Sequence, residues 1–134
     1  AAIADYKPVS VENQKIKKSG GSALTLDLVQ NQDILKTVAN LENRPFTVGF
    51  AAETENVIEN ARTKLTAKNL DMIIANNVAD TSIGFNSDHN ETTIITRIIS
   101  GKSTRITVEH QTKMSKENLS RKIIELIAEQ TLET

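Results

Sequence analysis

The stretches FTVGFAA (residues 46–52) and LDMIIAN (residues 70–76) decide the fold predicted from this sequence. Both are compact apolar runs, which are typical of strands buried on both faces of a sheet. Between them, apolar residues recur at helical spacing from Val57 to Leu65, behind Thr54, a residue type that caps helices. A strand, a helix and a strand at this separation predict a parallel βαβ unit.

The residues before this unit predict further strands and a helix. Residues 1–6 read as the end of a buried strand, and residues 23–29 alternate at period two, as a strand with one buried face does. Residues 33–41 repeat apolar side chains at helical spacing behind Asn31, a residue type favoured at the N-cap. Residues 7–22 have no sustained periodicity and predict a loop.

The residues after the unit predict a hairpin and a last helix. Residues 92–99 and 104–109 are β-rich and are joined by a turn sequence that contains glycine. Ser115 is placed to cap a helix whose apolar face runs from Leu119 to Ile127. The predicted fold is therefore α/β: an open, mostly parallel, Rossmann-like sheet flanked by helices, with a β-hairpin extension and a C-terminal helix.

Composition excludes several classes of protein. The 134 residues include 16 Lys and Arg against 17 Asp and Glu, which gives a net charge of −1 and argues against bulk attraction to nucleic acid or an anionic membrane. The absence of cysteine excludes a disulfide framework and a thiol nucleophile. We expect a soluble, cytoplasmic domain. Since the sequence starts without Met in an apolar stretch, we also expect it to be a piece of a longer chain.

Two groups of lysines are candidate anion-binding residues. Lys15, Lys17 and Lys18 lie together in the predicted loop, where three ammonium groups suit a phosphate chain. A solvated basic run is the alternative for this loop. Lys64 and Lys68 lie one turn apart on one face of the predicted helix, and exposed solubilising lysines are the alternative there.

Other candidates lie near the first predicted helix. Its start at residues 31–34 offers backbone N–H groups to an anion, although simple capping explains the same residues. Asp5 ends a predicted strand, where carboxylates contact ribose hydroxyls, or it forms a turn. Neither His89 nor His110 has a partner at zinc-ligand spacing. From the residues alone, the sequence predicts an anion-binding α/β domain.

Six short motifs are specific in combination although each is weak alone. They are AAIADYKP (residues 1–8), KIKK (15–18), VGFAAET (48–54), KNLD (68–71), ANN (75–77) and GFNSD (84–88). In this order they resemble the bacterial phosphopantothenate–cysteine ligase family. The resemblance is to the synthetase half of a bifunctional coenzyme A biosynthesis protein, whose other half is a flavin-dependent decarboxylase.

The resemblance implies an enzyme that joins 4'-phosphopantothenate to L-cysteine with CTP and Mg²⁺. In this family the carboxylate of phosphopantothenate attacks the α-phosphate of CTP, which gives an acyl-cytidylate and pyrophosphate. The amine of cysteine then displaces CMP and gives 4'-phosphopantothenoylcysteine. FMN would belong only to a fused decarboxylase domain outside this chain, and neither nucleic acid nor a membrane is expected as a partner.

The resemblance also carries the family's site residues to this chain. Lys15 matches the first lysine of the family's KxKK motif and is the expected catalytic residue. The residues expected at the nucleotide site are Ala1, Asp5, Lys15, Gln32, Asp33, Ile34, Leu35, Phe50, Lys64 and Lys68. The family often has proline where Gln32 stands, and no metal ligand is assigned.

The family's amino-terminal half carries a Gly-rich phosphate loop and a catalytic asparagine that these residues do not contain. We therefore expect residues 1–134 to be the carboxyl-terminal part of one ligase domain, without its amino-terminal half and inactive alone. The alternative is a non-catalytic nucleotide-binding or dimerisation domain related to the ligase. A Gly-rich loop with its asparagine upstream of Ala1 would identify the ligase.

A homodimer is the expected assembly, both from the resemblance and from the first hairpin strand. That strand has Ile94 and Ile98 on one face and Ile95 and Ile99 on the other. One face can pack on the core of the domain, and the other needs a cover. The last helix or a second copy of the chain would supply it.

Overall fold

The computed structural model describes residues 3–17, 23–79 and 89–132. The chain divides into two compact units, Ala1–Ile34 and Leu35–Thr134, and each is described by itself. No helix within the described ranges is long and apolar enough to cross a membrane.

The second unit contains a mixed four-stranded sheet. Its strands are β3 (Val48–Glu53), β4 (Met72–Asn77), β5 (His89–Ser100) and β6 (Ser103–Ser115), in that order across the sheet. β3 and β4 are parallel, with Val48 opposite Met72, and α2 (Val57–Ala67) connects them. The predicted βαβ unit is confirmed. β5 runs antiparallel to β4 and to β6, so the predicted hairpin is also confirmed.

One face of this sheet packs against α2. Ala61 and Leu65 of α2 are fully buried in a cluster with Ile73 of β4 and Ile95 of β5. Leu35, from α1 (Ile34–Val38), packs against the same cluster. This face therefore holds the larger of the two apolar cores.

The opposite face packs against the C-terminal helix α3 (Lys116–Leu132). The apolar face of α3 is the predicted one, and its buried residues are Leu119, Ile123 and Leu126. They cluster with Met72, Ile74 and Ile94, which are almost wholly buried. Ser115 caps the helix as predicted, because its Oγ accepts a hydrogen bond from the N–H of Asn118 at 3.3 Å.

The inner part of β5 is thus covered on both faces by its own chain. Ile94 lies under α3, whereas Ile95 lies under α2. Of the two covers expected for the second face, the last helix supplies it: α3 covers Ile94, while Ile95 packs in the core between the sheet and α2. Ile99, near the turn, is 60% exposed.

The first unit contains a small antiparallel sheet. It consists of β1 (Tyr6–Pro8) and β2 (Leu28–Gln30), with Tyr6 opposite Gln30. Every residue of both strands is exposed. The predictions of a buried strand end at residues 1–6 and of a strand with one buried face at residues 23–29 are wrong in the described residues, all of which are exposed. An alternating pattern buries a face only where another layer packs on it.

Two predicted helix starts are also corrected. Thr54 does not cap α2: the N-cap is Asn56, whose backbone is left-handed (φ 46°) and whose side chain makes no capping hydrogen bond. α1 is five residues long, shorter than the predicted span of residues 33–41. Asn31 is not the predicted cap, because α1 begins at Ile34; its side-chain amide donates to the carbonyl of Ala4 at 2.7 Å.

A buried ion-pair cluster fixes the amino end of β4. The carboxylate of Asp71 accepts two hydrogen bonds from Arg44, at 2.5 and 2.7 Å, and lies 3.5 Å from the guanidinium of Arg97. The backbone N–H and the hydroxyl of Thr47 donate to the same carboxylate. The cluster thereby joins the loop before β3 to the start of β4 and to Arg97 of β5.

Asp71 is only 7% exposed. Burial by itself raises the pKa of this carboxyl, but the hydrogen bonds from Arg44 and Thr47 and the charge of Arg44 outweigh burial. The net effect lowers the pKa of Asp71 below its ordinary value of 3.8. The charged form is therefore the one that stabilises the fold.

Replacing Asp71 with Asn should destabilise the chain by about 3 kcal/mol, because two guanidinium groups lose their buried counter-charge. Urea titration followed by circular dichroism measures the free energy of unfolding. Glu117→Gln is the control: its ion pair with Arg121 is exposed on both sides, so the expected cost is about 0.5 kcal/mol or less. Equal effects of the two substitutions would contradict a stabilising role for the cluster.

The contribution of Asp71 should also depend on pH. Because the native-state pKa is lowered, the stabilisation is complete above the unfolded-state value of 3.8 and is lost as the pH falls through the native-state pKa. The difference in unfolding free energy between wild type and Asp71→Asn should therefore shrink as the pH is lowered from neutral to about 3. A difference that stays constant over this range would show that the charge is not responsible.

Candidate functional site

The carboxyl ends of the parallel strands β3 and β4 form one edge of the sheet. In open α/β sheets, ligands bind at this edge. Glu53 and Asn77, the last residues of the two strands, lie opposite each other, and the N–H of Val78 donates to the carbonyl of Glu53 at 2.8 Å. Residues near this edge are therefore the first candidates for a site.

Phe50 is the exposed aromatic residue of β3. It is 70% exposed and, by strand alternation, lies on the same face as Val48, which packs in the α3 cluster. Among the described strands, β3 has a neighbour only on the β4 side. Its position at the sheet edge leaves the ring of Phe50 open to a flat ligand.

Lys64 lies on the other side of the sheet, on α2. Its ammonium contacts Glu53 Oε1 at 2.5 Å, and Asn60 Nδ2 donates to Glu53 Oε2 at 3.3 Å. Glu53 is buried, whereas the side chain of Lys64 is 46% exposed. The structure therefore places Phe50 and Lys64 on opposite faces, and a ligand that touches both must pass around the edge of β3.

Lys68 follows Lys64 by one helical turn, as the spacing predicts. It is the C-cap residue of α2, half-buried, and its N–H donates to the carbonyl of Lys64 at 3.0 Å. The chain then turns at Asn69, whose backbone is left-handed (φ 58°). The backbones of the two lysines are thus held one turn apart at the end of α2.

In the first unit, Asp5 and Lys15 are both exposed. Asp5 does not end a buried strand, which corrects the prediction. It lies just before β1, and its carbonyl accepts a hydrogen bond from the N–H of Asn31 at 2.8 Å. Lys15 lies in a segment without regular structure. The side chain of Lys15 is therefore accessible to an anion.

The remaining predicted nucleotide-site residues lie around the start of α1. Gln32 and Ile34 are exposed, and Asp33 is half-buried. Leu35 packs in the α2 core, with its side chain close to Gly49 of β3, so its role in this structure is packing. Ala1 and the motif residues 84–88 lie outside the described residues.

A cleft of about 400 Å³ lies on the α2 face, between the start of α2 and the sheet. Its lining residues are Asn56, Val57, Ile58, Glu59, Ala75, Asn77, Thr93 and His110. Sequence reasoning missed this cleft. Nδ1 of His110 lies 3.1 Å from the hydroxyl of Thr93. In the sequence, the only signal for His110 is a histidine without a partner at zinc-ligand spacing. None of the described residues predicted for the nucleotide site lines it.

A dedicated metal site is not formed by the part of the chain that the structure describes: it contains no group of three or more His, Cys, Asp or Glu residues able to hold an ion. Within the second unit, the ammonium groups of Lys64 and Lys68 suit an anion, and the exposed ring of Phe50 suits a flat ring. A nucleotide has both features.

Comparison with known proteins gives concordant matches. The family described as "DNA/pantothenate metabolism flavoprotein C-terminal domain" matches residues 1–131. The chain is 57% identical over 96 residues to the "Coenzyme A biosynthesis bifunctional protein CoaBC" of Vibrio cholerae, which covers 70% of this chain and 24% of that protein. For the protein of the same name from Escherichia coli K12, identity is 53% over 93 residues, covering 67% and 23%.

Solved structures agree with the fold. The crystal structure of the C-terminal domain of a CoaBC protein has a TM-score of 0.69 and 28% identity, and the match covers 100% of this chain and 53% of that one. The crystal structure of the DNA/pantothenate metabolism flavoprotein from Streptococcus pneumoniae has a TM-score of 0.60 at 18% identity, which supports the fold alone. The chain spans about a quarter of the length of the curated relatives and about half that of the solved domain.

Proposed function

Because this chain belongs to the family of DNA/pantothenate metabolism flavoprotein C-terminal domains, we propose that it is the carboxyl-terminal part of a CTP-dependent phosphopantothenate–cysteine ligase domain. The observation that carries this proposal is the 57% identity to a bifunctional coenzyme A biosynthesis protein. The order of the motifs that contain Lys15, Phe50 and Lys68 supports the same assignment.

The proposed reaction has two steps. The carboxylate of 4'-phosphopantothenate attacks the α-phosphate of CTP, and pyrophosphate leaves as the acyl-cytidylate forms. The amine of L-cysteine then attacks the acyl carbon and CMP leaves, which gives 4'-phosphopantothenoylcysteine. Such a reaction depends on positioning and on neutralising the charge that develops on the phosphates.

The described residues suit these tasks. Lys15 is exposed and would place a cation at the phosphates, as the catalytic residue. The exposed ring of Phe50 would stack on the cytosine base. Lys64 and Lys68 would add positive charge beside the nucleotide, and Asp5 would accept from a ribose hydroxyl. Of the other proposed nucleotide-site residues, Leu35 acts by packing the start of α1.

Mg²⁺ is proposed to arrive with CTP. This ion is usually held by one or two carboxylates together with the phosphates of a substrate. FMN would be bound only by a flavin-dependent decarboxylase domain fused to the ligase, outside these residues.

A homodimer in the cytoplasm is the proposed assembly. The first unit exposes Val9, Val11, Leu24, Leu26 and Leu28 to more than half of their full extent. Apolar side chains that are exposed together mark interaction surfaces. A second copy of the chain would bury them.

In the complete ligase, Lys15→Gln should lower kcat about a hundredfold, since it removes a cation that stabilises charge in the transition state. Release of CMP that depends on cysteine measures the rate. Lys102→Gln, in the exposed turn between β5 and β6, is the control and should leave the rate unchanged. A wild-type rate in the Lys15 variant would contradict the proposed catalytic role, and a wild-type enzyme that does not consume CTP would favour a non-catalytic domain.

Phe50→Ala should raise the KM for CTP about tenfold, because base stacking on an aromatic ring contributes about 1–3 kcal/mol. The free energy of unfolding should change by less than about 1 kcal/mol, since the ring is 70% exposed. Ile99→Ala, another exposed apolar residue of the sheet, should leave the KM unchanged. An unaltered KM in the Phe50 variant would remove the ring from the site.

A further inference from the structure

Among the described residues of the second unit, two acidic side chains are buried, and they have different partners. Asp71 is paired with arginines whose side chains are themselves mostly buried, at 21% and 15% exposure for Arg44 and Arg97. Glu53 is paired with Lys64, whose side chain is 46% exposed while that of Glu53 is 10% exposed. The Glu53 pair therefore joins a buried acidic side chain to a half-exposed lysine side chain.

Burial of Glu53 has a cost that its contacts must offset. Oε1 accepts from the ammonium of Lys64 at 2.5 Å, and Oε2 accepts from the amide of Asn60 at 3.3 Å. The backbone of Glu53 is fixed by β3 and by its carbonyl bond to Val78. The carboxylate is thus a rigid anchor, held on two sides.

Lys64 is the more exposed partner in this pair. A lysine side chain has about 2 kcal/mol of rotamer entropy, so an unanchored ammonium seldom occupies one position. The ammonium has three donor hydrogens, of which Glu53 takes one. The other two can be donated to an anion, since the side chain of Lys64 is 46% exposed.

We propose that Glu53 is a positioning residue, which anchors the ammonium of Lys64 at the carboxyl edge of the sheet so that it meets a phosphate of the nucleotide already in place. This inference rests on the proposed function, in which Lys64 contacts CTP. Glu53 lies at the end of β3, and the resemblance does not place it among the nucleotide-site residues. Anchoring reduces the entropy lost by Lys64 when the nucleotide binds.

Glu53 has a second effect on CTP binding, which acts in the opposite direction to anchoring. A carboxylate beside Lys64 also reduces the local positive charge, so its removal would tighten the binding of an anion if charge alone mattered. If anchoring dominates, the same removal weakens binding. The direction of the change in CTP affinity therefore decides between the two effects.

The experiment uses the complete ligase with the variant Glu53→Gln, which keeps the size of the side chain and removes its charge. The KM for CTP should rise about tenfold, the size expected from weakening one charge-assisted hydrogen bond, while the KM for cysteine stays unchanged. Glu55→Gln, an exposed acid two residues later, is the matched control and should leave both values unchanged. An unchanged or lowered KM for CTP in Glu53→Gln would overturn the inference.

A double variant that combines Glu53→Gln with Lys64→Met distinguishes a positioning role of Glu53 from a general structural one. In Lys64→Met, which itself should raise the KM for CTP, adding Glu53→Gln should cause no further rise, because the two residues act as one unit. A further rise of the same size would mean that Glu53 does not act through Lys64. Should Glu53→Gln fail to fold, Glu53→Asp keeps the charge but withdraws the carboxylate, and it should give the same selective rise in KM.

An incorrect ligase assignment would give a different result from an incorrect role for Glu53. It would leave the wild-type enzyme unable to release CMP from CTP in the presence of 4'-phosphopantothenate and cysteine. That result overturns the inference together with the ligase assignment. Normal wild-type turnover, with Lys64→Met impaired and Glu53→Gln unaffected, overturns the inference alone.

Discussion

The central strands β4 and β5 are apolar on both faces, and the rest of the second unit follows from the need to cover them. Ile73 and Ile95 point to one side, and Ile74 and Ile94 point to the other. A sheet with two apolar faces is stable only when a layer packs on each. The chain meets this need with α2 on one face and α3 on the other, so the hairpin strand requires no second copy of the chain.

The two ends of this sheet use buried acidic groups for different purposes. At the amino end, Asp71 joins Arg44 and Arg97 in a cluster that is closed to solvent on most sides and holds three segments together. At the carboxyl end, Glu53 is paired with a lysine whose side chain is half exposed. An enclosed pair serves the fold, whereas a half-exposed one leaves donors for a ligand.

The family assignment gives these features a common purpose. A ligase that activates a carboxylate with CTP needs cations at the phosphates and a surface for the base. In the proposed site, Lys64 and Phe50 would supply both kinds of group around the edge strand β3, on opposite faces of the sheet. The proposed site is therefore built around a strand edge rather than inside the cleft beside α2.

The sequence by itself determined the family, the βαβ unit, the hairpin and the apolar face of α3. Each depends on local spacing: residues 46–52 and 70–76 are continuous apolar runs, and Leu119, Ile123 and Leu126 recur at helical intervals. Only the tertiary structure decided which layer covers Ile95, that residues 23–29 bury no face, and that Glu53 meets Lys64. Burial and ion pairing depend on neighbours that are distant along the chain, and periodicity within one segment carries no information about them.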